Sequence, residues 1–171
     1  TGEIKFGSAI SSTGSNITVT GTKALISAGG DYKISGRISD GQLIVNTKEK
    51  VKIFLDGVNI SNSSGPAIFI SDAKKIVIEL VDGTTSTITD GGTDKINDGA
   101  LFSNDTITIK GNGTLNINSN NAHGISSDDD VIIQSGTINI TSKKTGIMAN
   151  DDITINDGTL NIKGGTNGLK S

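Results

Sequence analysis

Short segments in which apolar and polar residues alternate recur along the chain: "ITVT" (17–20), "VKIFL" (51–55), "ITIK" (107–110), "LNIN" (115–118), "INIT" (138–141) and "ITINDGTLNIK" (153–163). Alternation of period two predicts β-strands, because successive side chains of a strand point to opposite faces. No window carries apolar residues at i, i+3, i+4 and i+7, so helix is nearly absent from the expected structure. Between the strands lie Gly, Asn, Asp, Ser and Thr, whose backbones and side chains suit turns.

The alternation is itself repetitive. The units open at Leu43, Ile68, Leu101, Ile125 and Ile147, with a further start at Leu169, so the spacings are 25, 33, 24, 22 and 22 residues. Each unit holds an opening strand, a polar turn, an Ile-x-Ile strand, a Gly-containing turn, a Thr-Leu/Ile-x-Ile strand and a turn ending in Gly: Gly65, Gly99, Gly124, Gly146 or Gly168. A unit this short cannot bury its own apolar face, so like units must stack. Three strands per unit predict an all-β, three-sheet parallel β-helix of about 22–25 residues per coil, right-handed by the crossover rule. A β-sandwich of hairpins would instead show strands spaced by about 8–12 residues.

Stacking makes two inward ladders, Ile53, Ile78, Ile109, Ile133, Ile155 and Ile60, Ile88, Ile117, Ile140, Ile162. The 171 residues therefore read as one domain: irregular N-terminal coils or a cap over 1–42, regular coils over 43–168, and an unfinished coil at 169–171. A pairing strand is expected within Thr1–Ile10. An insertion near 89–99 is the one long loop of the array, and such loops on a solenoid carry function.

Composition narrows the chemistry. The chain has 23 Gly, 1 Pro, no Cys, no Trp, a net charge of −3 and one arginine, Arg37, so no basic face is available for nucleic acid. No apolar run approaches the ~20 residues that cross a bilayer, which argues against membrane insertion.

Aligning the units brings their first turns into columns: Asn46-Thr47-Lys48, Ser71-Asp72-Ala73, Asn104-Asp105-Thr106, Asp128-Asp129-Asp130 and Asn150-Asp151-Asp152. Asp72, Asp105, Asp129 and Asp151 then stack roughly 4.8 Å apart. Unit charges at that distance repel by about 3 kcal/mol at an effective dielectric near 20, and by about 1 in bulk water. Two readings follow. Calcium, which takes carboxylate, carbonyl and water oxygens, offsets the repulsion, with Asp72, Asn104, Asp105, Asp128, Asp129, Asp130, Asn150, Asp151 and Asp152 as candidate ligands. Otherwise the Asn and Asp residues only shape turns and water screens them. Asp90, Asp94, Asn97 and Asp98 of the insertion form a second candidate metal cluster, or a polar loop. Turn chemistry accounts for the column Asp56, Asp82, Asn112, Ser135, Asp157.

Catalysis finds little support. The outward positions of the opening strands are Ile44, Phe69, Phe102, Ser126 and Met148, none of them a base for abstracting a proton from a uronate. The signature of the polygalacturonase-like β-helices is out of order here and lacks its Arg-x-Lys. The single histidine, His123, reads as a turn residue without a chemical role. With four Phe, one Tyr and no Trp, stacking on flat crystalline polysaccharide is a weak option.

"DYKISGRISDGQLIV", "VKIFLDGVNISNSSGPAIFI", "KKIVIELVDGTTSTITDG", "GALFSNDTITIKGNGTLNINS", "HGISSDDDVIIQSGTINIT" and the closing "NGLKS" together resemble the clostridial carbohydrate-binding β-helix family, similar in structure to pectate lyases. The resemblance runs over roughly residues 25–171. It implies a secreted or cell-surface, non-catalytic, calcium-containing protein that associates with cellulose and acidic, pectic polysaccharide. Asn167 stands where the family's closing motif has aspartate, and family members usually continue past it. An unfinished coil exposes unpaired backbone groups, so a second expectation is a filament subunit. In it, copies stack head to tail and "TGEIKFGSAI" of one copy completes another.

Overall fold

The computed structural model describes residues 1–171 and contains strands but no helix. Five strands open the chain: β1 (Gly2–Phe6), β2 (Ser11–Thr13), β3 (Ile17–Thr20), β4 (Lys23–Ile26) and β5 (Gly30–Ile38). Coils of three strands follow. They are β6 (Gln42–Asn46), β7 (Lys50–Leu55) and β8 (Asn59–Ser61); β9 (Ile68–Asp72), β10 (Lys75–Leu80) and β11 (Thr85–Thr89); then β12 (Gly99–Ser103), β13 (Ile107–Gly111) and β14 (Thr114–Ser119). Next come β15 (His123–Ser127), β16 (Val131–Ile133) and β17 (Thr137–Ser142); then β18 (Ile147–Ala149), β19 (Ile153–Ile155) and β20 (Thr159–Gly164); and last β21 (Leu169–Lys170).

Equivalent strands pair in parallel from coil to coil, forming three faces. The first runs β4, β6, β9, β12, β15, β18, β21, the second β5, β7, β10, β13, β16, β19, and the third β8, β11, β14, β17, β20. β5 turns the corner between the second and third faces, pairing with β7 through Gly30–Ile34 and with β8 through Arg37 and Ile38. This is the parallel β-helix that the repeat predicts.

Register follows the repeat residue by residue. Leu43, Ile68, Leu101, Ile125, Ile147 and Leu169 are successive partners on the first face. The Ile53 to Ile155 and Ile60 to Ile162 ladders form on the second and third. A one-residue slip would turn every one of these side chains outward, so burial of one face fixes the pairing. The ladders merge into a single core of 35 buried residues. Ile155 departs from the expectation: it lies in the last full coil and is exposed, because no further strand covers it there.

The first 42 residues are more regular than expected. β1 lies parallel to β5 and buries Ile4 and Phe6, while β3 and β4 form an antiparallel hairpin on the edge of the first face. The segment expected to complete another copy is therefore paired within its own chain. The Gly-turn column behaves as turn chemistry: Asp157 accepts the Gly158 N–H at 2.7 Å, and Ser135 donates to the Gly111 carbonyl at 2.8 Å. Phe102, an outward position of its strand, is nevertheless buried beside Phe69, with ring centroids 6.0 Å apart.

Candidate functional site

The edge between the first and second faces carries the acidic turns. In two successive coils the turn is wound around a buried serine: Ser103 Oγ accepts the Asp105 N–H at 3.0 Å and Ser127 Oγ accepts the Asp129 N–H at 3.1 Å. Ser127 Oγ also donates to the Asp105 carbonyl at 3.0 Å, locking one coil to the next. With the serine inside, the aspartate two residues on is left at the rim. These serines are positioning residues that the column alignment overlooked; their signal was a polar residue at an inward strand position.

Electrostatics identify which carboxylates share the rim. Burial pushes the Asp129 carboxyl up, and the charges of Asp105, Asp151 and Asp130 push it further. Asp128 is raised by burial and then by Asp98, Asp129 and Asp105. The expected column thus forms over Asp105, Asp129 and Asp151, whose turns are joined by hydrogen bonds from Ser127 Oγ to the Asp105 carbonyl and from the Asp151 N–H to the Asp129 carbonyl; Asp98, which the sequence had assigned to a separate cluster, acts on Asp128 from outside it. None of Asp105, Asp128, Asp129 and Asp151 has a lysine or arginine partner.

Asp72 leaves the column, and several of the remaining candidates, Asp105 among them, make bonds to neighbouring turns. Asp72 is ion-paired with Lys48, which holds that ammonium above its usual range. Asp105 Oδ2 accepts the Ala73 N–H at 2.9 Å, Asp130 Oδ1 accepts the Asp152 N–H at 3.0 Å, and Asn104 Nδ2 donates to the Ser71 carbonyl at 2.9 Å. Asn150 and Asp152 remain exposed on the rim.

The insertion departs from the expected metal cluster. Asp90 is buried and accepts hydrogen bonds from Ser119 Oγ at 3.0 Å and from the N–H groups of Asn120 and Asn121 at 2.7 and 3.2 Å. Burial outweighs these bonds and leaves its carboxyl raised. Asp94 caps its own turn by accepting the N–H groups of Ile96 and Asn97, both at 2.9 Å, and these bonds overcome partial burial to hold it low. Asp98 accepts from Ser126 Oγ at 2.9 Å and faces His123 Nε2 at 3.5 Å. Three carboxylates that looked like one cluster are thus three separate anchors. No three Asp, Glu or His side chains of the chain converge as a closed metal centre requires.

His123 is no turn residue. It opens β15, is largely buried, and accepts the Thr145 N–H on Nδ1 at 3.1 Å. Beside it the insertion and the following coil enclose a cleft of about 420 Å³ containing Lys95, Lys143 and Lys144 with Asn121. None of these lysines is ion-paired, whereas Asp94 and Asp98 in the same cleft are already hydrogen-bonded. Lys143-Lys144 stood in the sequence as an ordinary polar turn, and only the path of the insertion brings Lys95 to it.

Comparisons agree with this architecture. The polysaccharide lyase-like protein from C. thermocellum, solved as a gadolinium derivative, superposes with a TM-score of 0.83 at 26% identity, covering 99% of this chain and 93% of its own. A carbohydrate-binding domain-containing protein of Acetivibrio thermocellus is 36% identical over 75 residues, which are 43% of this chain and 26% of that protein. The chain therefore corresponds to about a quarter of that relative's length. The profile of one family matches residues 20–171, and by that match the chain belongs to the family of carbohydrate-binding domain-containing proteins.

Proposed function

We propose that the protein is an extracellular or cell-surface, non-catalytic polysaccharide-binding β-helix that grips acidic, pectic-type chains with the help of calcium. The observation that carries this reading is the rim of Asp105, Asp128, Asp129 and Asp151, in which burial and nearby carboxylates raise Asp128 and Asp129 and none of the four is ion-paired with a lysine or arginine. Hard carboxylate oxygens of this kind fit calcium. Because no three of them converge, the ion's remaining ligands would be water and the carboxylates of the polysaccharide itself. Calcium would supply the counter-charge that lets two acidic surfaces meet; the chain's own part is to hold the carboxylates outward on their serine-centred turns. The similar solved structure is a gadolinium derivative, and gadolinium is likewise a hard, oxygen-seeking ion.

The expected result is calcium-dependent retention on polygalacturonate that a chelator abolishes, with no release of unsaturated or reducing ends. Equal failure to bind with and without calcium would remove the reading. Head-to-tail stacking into a filament is favoured by no observation, since the strand it would use is already paired to β5.

A further inference from the structure

The outward side of the second face carries a row of side chains in strict register along the helix axis. Glu3 stands opposite Lys33, Lys33 opposite Phe54, Phe54 opposite Glu79 and Glu79 opposite Lys110. Gln134 continues the row, its N–H bonded to the Ile109 carbonyl at 2.8 Å. Five strand spacings of about 4.8 Å make a track of roughly 24 Å. Two open grooves lie end to end along it, one of about 440 Å³ from Thr1 to Lys33 and one of about 700 Å³ from Glu79 to Ser135, and Phe54 lines both.

Phe54 is half-buried at the middle of this track. The Lys52 ammonium, 4.7 Å from its ring centroid and 3.4 Å from Glu79, holds the ring in place from its own strand. Glu79 also faces Lys110 at 3.7 Å. A fixed aromatic ring flanked by paired charges and a side-chain amide is the chemistry that receives a pyranose: the ring packs on the C–H face of the sugar, and the polar groups exchange hydrogen bonds with its hydroxyls. A pyranose residue advances a chain by about one strand spacing, so successive sugars could meet successive rungs.

Charge decides which polysaccharide. The charged residues lining the two grooves are Glu3, Asp31, Glu79 and Asp82 against Lys33 and Lys110, with Lys52 over Phe54 as a third ammonium group. Carboxylates still outnumber ammonium groups, and Lys52 and Lys110 are both paired with Glu79, so a uronate chain gains no net attraction. We infer that the track through Phe54 is a second carbohydrate site, separate from the acidic rim, that binds an uncharged β-glucan laid along the helix axis without calcium. This rests on the proposal that the protein binds polysaccharide, and it assigns a different chain to a different face.

The test is native affinity electrophoresis in gels containing hydroxyethylcellulose, with chelator throughout, for the wild-type protein and the variants Phe54→Ala, Phe54→Tyr, Gln134→Ala and Lys23→Ala, the last at an exposed position of β4 away from the track. The wild type, Phe54→Tyr and Lys23→Ala are expected to be retarded alike, and Phe54→Ala to bind about tenfold more weakly, as loss of a central aromatic anchor does. Gln134→Ala, at an exposed position, is expected to weaken binding without touching the core, and it decides the matter should Phe54→Ala fail to fold. Unchanged retardation of the folded Phe54→Ala and Gln134→Ala proteins, or no retardation of the wild type, overturns the inference. Calcium-dependent retention on polygalacturonate alongside such a result would leave the acidic-rim reading standing; the reverse pattern would remove the rim and keep the track.

Discussion

The Asp98 carboxylate faces His123 Nε2 at 3.5 Å while Nδ1 of the same ring accepts the Thr145 N–H at 3.1 Å, so one imidazole ties the insertion to two successive coils. With Nδ1 occupied as an acceptor, Nε2 is the ring nitrogen left to donate toward Asp98. Truncation by His123→Ala leaves the buried Thr145 N–H unpaired and the Asp98 carboxylate with the Ser126 hydroxyl as its remaining side-chain donor, which costs about 1–3 kcal/mol. Urea unfolding should show that loss, and hydrogen exchange should speed up at the Thr145 amide. Equal stability would mean that the imidazole carries no strain of the fold.

The acid limb of stability follows from Asp98. Burial raises its carboxyl, but the hydrogen bonds from His123 and Ser126 outweigh burial and hold it below its ordinary value. A depressed carboxylate stabilises the folded state above the unfolded pKa and loses that contribution as pH falls through the folded one. Asp98→Asn should therefore flatten the decline of thermal stability below about pH 4, the ordinary carboxylate range.

Asp129 has the opposite sign. Its carboxyl is raised by burial and by Asp105, Asp151 and Asp130, so without metal the folded state is penalised at neutral pH and relieved as pH falls through the raised value. Asp129→Asn should stabilise the calcium-free protein by a few tenths of a kcal/mol, roughly what screened surface charges are worth. It should also weaken the response of the melting temperature to calcium. A variant that melts lower in chelator and responds fully to calcium would contradict the rim's role.

The coil register was legible because a period of two leaves one solution that buries Ile53, Ile78, Ile109 and Ile133 together. Column alignment also placed Asp105, Asp129 and Asp151 side by side, since the polar turns have equal length in those coils. What it could not give was the fate of side chains that leave the repeat. Asp72 turns to Lys48 where a bulge shifts the register between Val45 and Asn46, and Asp98, at the end of the insertion, turns to Ser126 and His123 of the next coil. The Phe54 track was hidden for another reason: its members are outward residues of five different units, each ordinary in its own strand.

Gly124 tests the packing inside the repeat. A Cβ at this position would lie 2.7 Å from the Gly146 carbonyl oxygen and collide with the Ile140 methyl, and the former is backbone that the parallel ladder holds in place. Gly124→Ala should destabilise by about 1–3 kcal/mol, the usual cost of overpacking. Ile140→Ala, which removes the γ-methyl that the new Cβ would strike, should cost about 2–5 kcal/mol alone. Combined with Gly124→Ala it should cost less than the sum, because the space it frees is where the new methyl goes. Strict additivity in urea unfolding would show that Gly124 is constrained by the neighbouring backbone and not by the isoleucine.

The lysine cleft offers a direct electrostatic test of acidic-sugar binding. Lys143 and Lys144 hold their turn through backbone N–H bonds to the Ser119 and Ala122 carbonyls at 3.1 and 2.8 Å, so their side chains are dispensable to the fold. The double variant Lys143→Glu/Lys144→Glu should keep its stability within about 0.5 kcal/mol. It should lose about tenfold or more of its affinity for polygalacturonate, because charge reversal places carboxylates beside Asp94 and Asp98 where two cations stood. Wild-type affinity should fall as ionic strength rises and the Debye length shrinks from about 10 Å at 0.1 M salt, whereas retardation by hydroxyethylcellulose should not change. If the reversed protein holds polygalacturonate as tightly as the wild type at low salt, uronates are recognised at the calcium rim without help from this cleft.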